Sequence, residues 1–174
     1  MSGRRAWAGR RLAAASSIVV LVLAGCAGEV ASQDDRESDI YAEALAWLVA
    51  RPDVADEGID SPPLYIEHLG PDGISLDVQV DLIDHFDGLV ELRFVDARAE
   101  AVDESLVEMP VRDDSVLVGL GPISDDQPTE LRAELYRDLD DVTAYRFTMR
   151  RSDGEWTLAE APEVVDPEGL VADP

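Results

Sequence analysis

The stretch TAYRFTMRRSDGEWTLA, residues 143–159, decides the fold class. Apolar and polar side chains alternate from Tyr145 to Arg151, and this alternation is typical of a strand with one buried face. The Ser-Asp-Gly tripeptide at 152–154 favours a tight turn, and residues 155–161 can form the returning strand. The stretch therefore predicts an antiparallel hairpin.

Apolar runs upstream of the hairpin extend it into a sheet. Residues 115–120 and 129–138 have strand character and predict a C-terminal β-meander together with the hairpin. Strands are also predicted at 64–69 and 89–95, and the Gly-Pro-Asp-Gly sequence at 70–73 predicts a turn after the first of these.

A first helix is predicted before these strands. Ser38 or Asp39 can cap its N-terminus, and Arg51, which precedes Pro52, is expected to end it. The apolar side chains at helical spacing are Ile40, Tyr41, Ala44, Leu45, Trp47 and Leu48. This row predicts one buried helix face.

Two patterns compete at residues 74–86. Apolar and polar residues alternate there as in a half-buried strand, whereas Leu76, Val80 and Ile83 fit one face of a helix that Ser75 caps. Three aspartates in the segment are unfavourable in a strand, so we interpret it as a helix. The sequence then predicts an α+β fold: two N-terminal helices packed on a mainly antiparallel sheet with a C-terminal β-meander.

The N-terminus has the three parts of a bacterial export signal. Four arginines come first, an apolar stretch follows at residues 12–22, and small residues precede Cys26. The apolar stretch is too short for a membrane-spanning helix, which needs about 20 apolar residues. The paired arginines Arg10 and Arg11 leave both the general secretory and the twin-arginine export route open.

Residues 23–26, Leu-Ala-Gly-Cys, resemble the lipobox of bacterial lipoproteins. The resemblance implies cleavage between Gly25 and Cys26 and attachment of a diacylglyceryl group, with acyl chains such as palmitate, to the Cys26 sulfur. The mature protein is then expected to be exported and anchored on the outer face of the cell membrane. An ordinary secretory signal with a chance cysteine and a short signal anchor are the alternatives.

The expected domain organisation follows from these signals. Residues 1–25 form the lipoprotein signal peptide, 26–38 the lipidated cysteine and a flexible tether, 39–163 a single α+β domain, and 164–174 an acidic tail.

The segment pattern of the mature chain is similar to a group of uncharacterised exported actinobacterial proteins. The similarity lies in a helix near the tether and in residues 116–123, 134–136 and 145–156. Relatives of that kind often carry a turn with cysteine and glycine where this chain has Arg-Asp-Leu-Asp-Asp at 137–141. The resemblance implies an extracytoplasmic α+β domain and brings no known activity.

The charge of the chain limits its partners. The formal net charge is −24, with no lysine, and removal of residues 1–25 takes away four arginines and no acidic residue, which lowers the charge to −28. Nucleic acid is therefore not an expected partner, and attachment to the membrane must come from the lipid. A saline habitat and a GC-rich genome both explain such acidity. Because Cys26 is the single cysteine, disulfides and Cys-based metal or nucleophile sites are excluded from the mature domain.

Few residues form a pattern that is typical of a catalytic or metal-binding site. Asp81 and His85 share a helical face and form a candidate acid–base pair, although no nucleophile motif accompanies them, and a solvated acidic helix end is the alternative. His68 is expected as a partly buried edge residue. The acid pairs at 113–114, 125–126 and 140–141 could attract calcium but lack the spacing of a defined site, and Gly-Leu-Gly-Pro at 119–122 is interpreted as a turn. No catalytic residue, metal ligand or cofactor is predicted.

Three functional hypotheses remain. The first is a membrane-anchored, non-enzymatic binding or interaction module with a protein partner at the cell surface. The second is a small-ligand carrier with an apolar pocket like those of cystatin-like and NTF2-like folds. The third is a hydrolase that uses His85 with nearby carboxylates.

Intact-mass analysis of the protein from the producing cell tests the anchor. We expect a chain that begins at Cys26 and carries the added mass of a diacylglyceryl group, because signal peptidase cleaves before the lipidated cysteine. A chain that still contains Met1, or a released chain with unmodified Cys26, would contradict the expectation.

Overall fold

The computed structural model describes residues 32–52, 54 and 62–167 of the chain, and its first element is helix α1, Gln33–Val49. Ser32 caps this helix: its Oγ accepts a hydrogen bond from the Asp35 amide at 3.0 Å, and its own amide donates to Asp35 Oδ2 at 2.8 Å. This reciprocal capping box satisfies two amide groups that the first turn leaves without helical partners.

The capping box corrects the predicted start of the helix and the predicted tether. Ser38 and Asp39 lie in the second turn of α1, not at its cap, and residues 33–38 of the expected tether are helical. The predicted end is confirmed, since Ala50 is the C-cap. The signal peptide and the lipobox with Gly25 and Cys26 lie outside the described residues.

Helix α2, Leu76–Phe86, confirms the helical interpretation of residues 74–86. Ser75 caps it by accepting a hydrogen bond from the Val78 amide at 3.3 Å. The apolar row that indicated the helix is not the face that packs on the core. The side chains that contact the core are Val78, Leu82 and Phe86, whereas Leu76, Val80 and Ile83 are 76%, 55% and 47% exposed.

Within the described residues, seven strands form one mixed sheet in the order β2-β1-β3-β4-β5-β6, with β7 also paired to β5. The strands are β1 Leu64–His68, β2 Leu92–Val95, β3 Val116–Leu120, β4 Thr129–Tyr136, β5 Val142–Ser152, β6 Glu155–Leu158 and β7 Glu163–Val165. The strands from β3 to β6 form the predicted antiparallel meander. Strand β1 lies between β2 and β3 and is parallel to both. The α+β class and the meander are thus confirmed, while the three parallel strands were not predicted.

Some strand boundaries differ from the sequence-based ones. Leu89 lies in the turn after α2, and β2 begins only at Leu92. Val164 and Val165 pair with β5 as part of β7, so the expected tail does not begin at residue 164. Residues 168–174 of the expected tail lie outside the described residues.

The glycine-containing segment 119–122 continues the sheet and does not form the predicted turn. Gly119 belongs to β3, and the Gly121 amide donates to the Arg132 carbonyl at 2.8 Å. A Cβ on Gly121 would lie 3.0 Å from the Arg132 carbonyl oxygen, so the close approach of β3 to β4 favours glycine.

Apolar side chains cover both faces of the sheet. The main core lies between the two helices and one face, and it includes Ile40, Tyr41, Leu45, Leu48, Val78, Leu82, Phe86, Leu131 and Phe147. A smaller cluster contains Tyr65, Ala101, Val102, Val111, Leu117 and Tyr136. Part of that cluster comes from the connection between β2 and β3, which contains the short helix α3, Arg98–Ala101.

Helices α1 and α2 run side by side in the same direction. Ser75 Oγ lies 3.3 Å from Asp34 Oδ1 at the start of both helices, and Ser38 Oγ lies 3.0 Å from Asp81 Oδ2 about one turn further along. Because both pairs advance in the same direction along the chain, the two helices begin at the same end of the domain.

Paired alanine substitutions test the orientation of α2. We expect Leu82→Ala to lower the free energy of unfolding by about 2–5 kcal/mol, because it removes a fully buried side chain and leaves a cavity. The adjacent control Ile83→Ala should change it by no more than about 0.5 kcal/mol, since Ile83 is half exposed. Urea denaturation measures both values. Equal losses, or a larger loss for Ile83→Ala, would contradict the orientation.

Candidate functional site

An apolar row lies on the solvent side of α2 in the described domain. Leu76, Val80 and Ile83 follow one another at spacings of four and three residues, which places them in line on one helix face. All three are exposed, although full burial of such a side chain stabilises by about 1.5–3 kcal/mol. We call these three residues the α2 stripe.

Carboxylates lie along one side of the α2 stripe. Asp77 follows Leu76 and Asp84 follows Ile83, so each is turned by about 100° from its neighbour in the stripe, in the same direction. Both aspartates are exposed, and α2 contains neither lysine nor arginine. The stripe and the two aspartates together form what we call the α2 face, an apolar surface with a negative margin.

The candidate pair Asp81 and His85 is not assembled for acid–base chemistry. Asp81 accepts a hydrogen bond from the buried Ser38 hydroxyl at 3.0 Å, so this carboxylate takes part in the contact between α1 and α2. The exposed His85 ring contacts Phe86 edge to face, with ring centroids 4.9 Å apart. Among the described residues His85 forms no hydrogen bond with Ser38 or Asp81, so this geometry adds no support to the hydrolase hypothesis.

His85 lines two shallow depressions beside α1, with volumes of about 320 and 350 Å³. Both also border Asp39 and Ala42. Burial raises the pKa of the Asp39 carboxyl, and the carboxylates of Asp35 and Asp81 raise it further, while Arg151 lowers it. The ionised form of Asp39 is therefore less favourable in the folded chain than in the unfolded one.

The raised pKa of Asp39 predicts a pH-dependent effect of its substitution. The protonated form is favoured by folding, so its stabilising contribution is present below the unfolded pKa of about 3.9 and is lost as the pH rises through the folded pKa. We expect Asp39→Asn to stabilise the folded chain slightly at pH 7 and to have a smaller effect near pH 4; the gain is small because Asp39 is exposed and solvent screens its interactions.

Thermal denaturation of Asp39→Asn and wild type between pH 4 and pH 8 measures this difference. Glu160→Gln, which removes an exposed carboxylate outside the depressions, is the matched control. A gain that stays constant across this pH range, or equals that of the control, would refute the assignment.

A polar crevice of about 450 Å³ lies where β1 and β2 end. The carboxyl ends of parallel strands are a common place for ligands in α/β sheets. The polar side chains that line it are His68, Asp72, Gln79, Asp96 and Glu100. It is open and mainly polar, which differs from the apolar pocket that the carrier hypothesis predicts.

His68 lies on β1 and is partly buried, as predicted, but it is not an edge residue. Strand β1 has neighbours on both sides, and the His68 ring faces the turn that follows. The Gly70 amide lies 3.2 Å from His68 Nδ1. This contact fixes the ring against the turn and gives it a structural partner.

Sequence reasoning missed a partly buried ionic cluster of Glu67, Arg98 and Glu134. Arg98 Nη2 lies 2.9 Å from Glu134 Oε1, whose side chain is only 3% exposed, and Glu67 accepts from the Arg98 amide at 3.0 Å. The Arg98 guanidinium also lies over the Tyr136 ring, 4.7 Å from its centre. Glu67 and Glu134 lie on different strands, so no local spacing could have indicated this cluster.

The acid pairs considered for calcium are engaged by arginines. Asp113 lies 3.1 Å from Arg93, and Asp141 lies 3.2 Å from Arg137. Asp125 lies 3.4 Å from Arg36. Within the described ranges, no group of three or more His, Cys, Asp and Glu residues is placed to hold a metal ion.

Comparison with known proteins gives no match: no protein-family model, curated protein or solved structure is significantly similar to the chain. In the part of the chain that the structure describes, no helix combines the length and the apolar character needed to cross a membrane.

Proposed function

We propose that the protein is a bacterial lipoprotein, anchored through Cys26 on the outer face of the cell membrane, and that its α+β domain is a non-enzymatic binding module for a protein partner. The lipobox-like residues 23–26 and the export signal before them support the anchor. The resemblance of the segment pattern to exported actinobacterial proteins also favours an extracytoplasmic location.

The exposed α2 stripe is the observation that supports a protein partner. The described domain has well-filled cores on both faces of its sheet, yet it leaves three large aliphatic side chains in a row on one helix. Such a row is typical of a surface that another protein covers. The polar crevice and the depressions at His85 present no comparable apolar surface.

The anchor would hold the domain close to the bilayer. Residues 26–31 precede the helix cap Ser32, and six residues span at most about 20–22 Å when fully extended. Because α1 and α2 begin at the same end, the start of α2 would also lie near the membrane. A partner that binds the α2 face would then reside in, or close to, the same membrane.

Site-specific photo-crosslinking in the producing cell tests this function. A photoreactive amino acid at Val80 should capture a distinct membrane-associated protein, because Val80 lies at the centre of the α2 stripe. The same amino acid at the exposed Glu160 is the control and should not capture that protein. Mass spectrometry identifies the products.

A second variant tests the anchor in the same cells. Cys26→Ser removes the thiol that accepts the lipid, so the protein should lose its lipid modification and the Val80 crosslink should weaken. Absence of a Val80-specific product would contradict the binding function. Unchanged membrane attachment of Cys26→Ser would contradict the lipid anchor.

A further inference from the structure

We infer that the partner docks on the α2 face through a basic amphipathic helix. This inference rests on the proposed binding function and adds the chemistry of the partner. The surface next to the stripe carries charge of one sign, which selects among the possible occupants.

The spacing of the α2 stripe suits a helix. Leu76, Val80 and Ile83 span two helical turns, about 10 Å along the axis. An amphipathic helix laid beside α2 presents its own apolar residues at spacings of three and four, so its side chains can pack between those of the stripe. The short, straight row offers no deep pocket for a single anchoring residue.

The charge beside the stripe selects a basic partner. Asp77 and Asp84 are exposed on the same side of the stripe, two turns apart, and α2 contains no lysine or arginine to neutralise them. Lysine or arginine residues beside the apolar row of a partner helix would face these carboxylates. Such complementarity increases the association rate and discriminates against acidic partners.

The same charge disfavours two other occupants. A second copy of the chain would bring together two proteins that each carry a net charge of −24, or −28 after removal of the leader, with aspartates beside both stripes. An anionic lipid surface would be repelled by the same aspartates. A basic helix of another protein is the occupant that both the apolar row and the negative margin favour.

A designed peptide provides a direct probe. It has about 18 residues, with leucines at positions i, i+3, i+4 and i+7 and lysines beside them, and a second peptide has glutamates in place of the lysines. The peptide is titrated with the lipidated protein, which is held in nanodiscs of zwitterionic phosphatidylcholine. Fluorescence anisotropy at low and high salt gives the dissociation constants.

Two sets of variants separate the apolar and the charged contributions. Val80→Ser with Ile83→Ser should weaken binding of the lysine peptide by about tenfold or more, because partner contacts with the stripe are lost. Asp77→Asn with Asp84→Asn should weaken it by about fivefold and reduce its salt dependence. All four residues are exposed, so circular dichroism should show the native fold.

A charge-matched control distinguishes local recognition from general attraction to an acidic protein. Glu104→Gln with Glu160→Gln removes the same charge from exposed positions outside α2 and should change the affinity by less than about twofold. The glutamate peptide should not bind detectably.

Several results would overturn the inference. In the peptide assay, these results are an equal loss of affinity in the control pair and the α2 aspartate pair, or an unchanged affinity in the stripe variant. Two further results would favour a different occupant: dimerisation through α2, measured by light scattering, or attachment to phosphatidylglycerol vesicles that depends on the stripe. If the Val80 crosslink in cells captures a partner whose contact segment is not a basic helix, the inference fails while the binding function stands. If Val80 captures no specific partner, the binding function itself fails.

Discussion

The packing of α2 against α1 fixes which face of α2 meets solvent, and the surface of the protein follows from that rotation. Val78, Leu82 and Phe86 fill the core, and Ser38 donates a hydrogen bond to Asp81 between the two helices. With these contacts made, the other apolar row of α2 must face outward. In this contact Asp81 accepts through Oδ2, which directs the carboxylate towards α1.

Local patterns in the sequence predicted local structure well. The hairpin at 143–159 and the strands before it were predicted because alternation and turn residues act over a few positions. The three parallel strands were not, because parallel neighbours are set by contacts between segments far apart in the chain. The start of α1 was missed because its capping box, Ser32 with Asp35, precedes the apolar row that marks the helix.

The candidate site could not be predicted from local sequence patterns, because it depends on contacts between segments that are far apart in the chain. The segment 74–86 has two apolar rows, and only the packing on the sheet decides which one is buried. The row that indicated the helix is the exposed one. The cluster of Arg98 with Glu67 and Glu134 was equally hidden, since its members come from a short connection and two strands. The spacing of Asp81 and His85 predicted that they share a helix face, but it could not show that Asp81 bonds to Ser38 while the His85 ring contacts Phe86.

Two short strands share the outer edge of β5, and this arrangement limits strand pairing between neighbouring molecules. Strand β7 pairs with residues 144–146 and β6 with residues 149–152, and the Ala159 amide donates to the Thr148 carbonyl between them. The longest strand of the sheet is therefore covered by short segments, and the outer strand β2 has only four residues. Short edges are poor templates for strand addition by neighbouring molecules. Under the proposed lipid anchor, neighbouring copies would meet with short edges only, which disfavours pairing of strands between molecules.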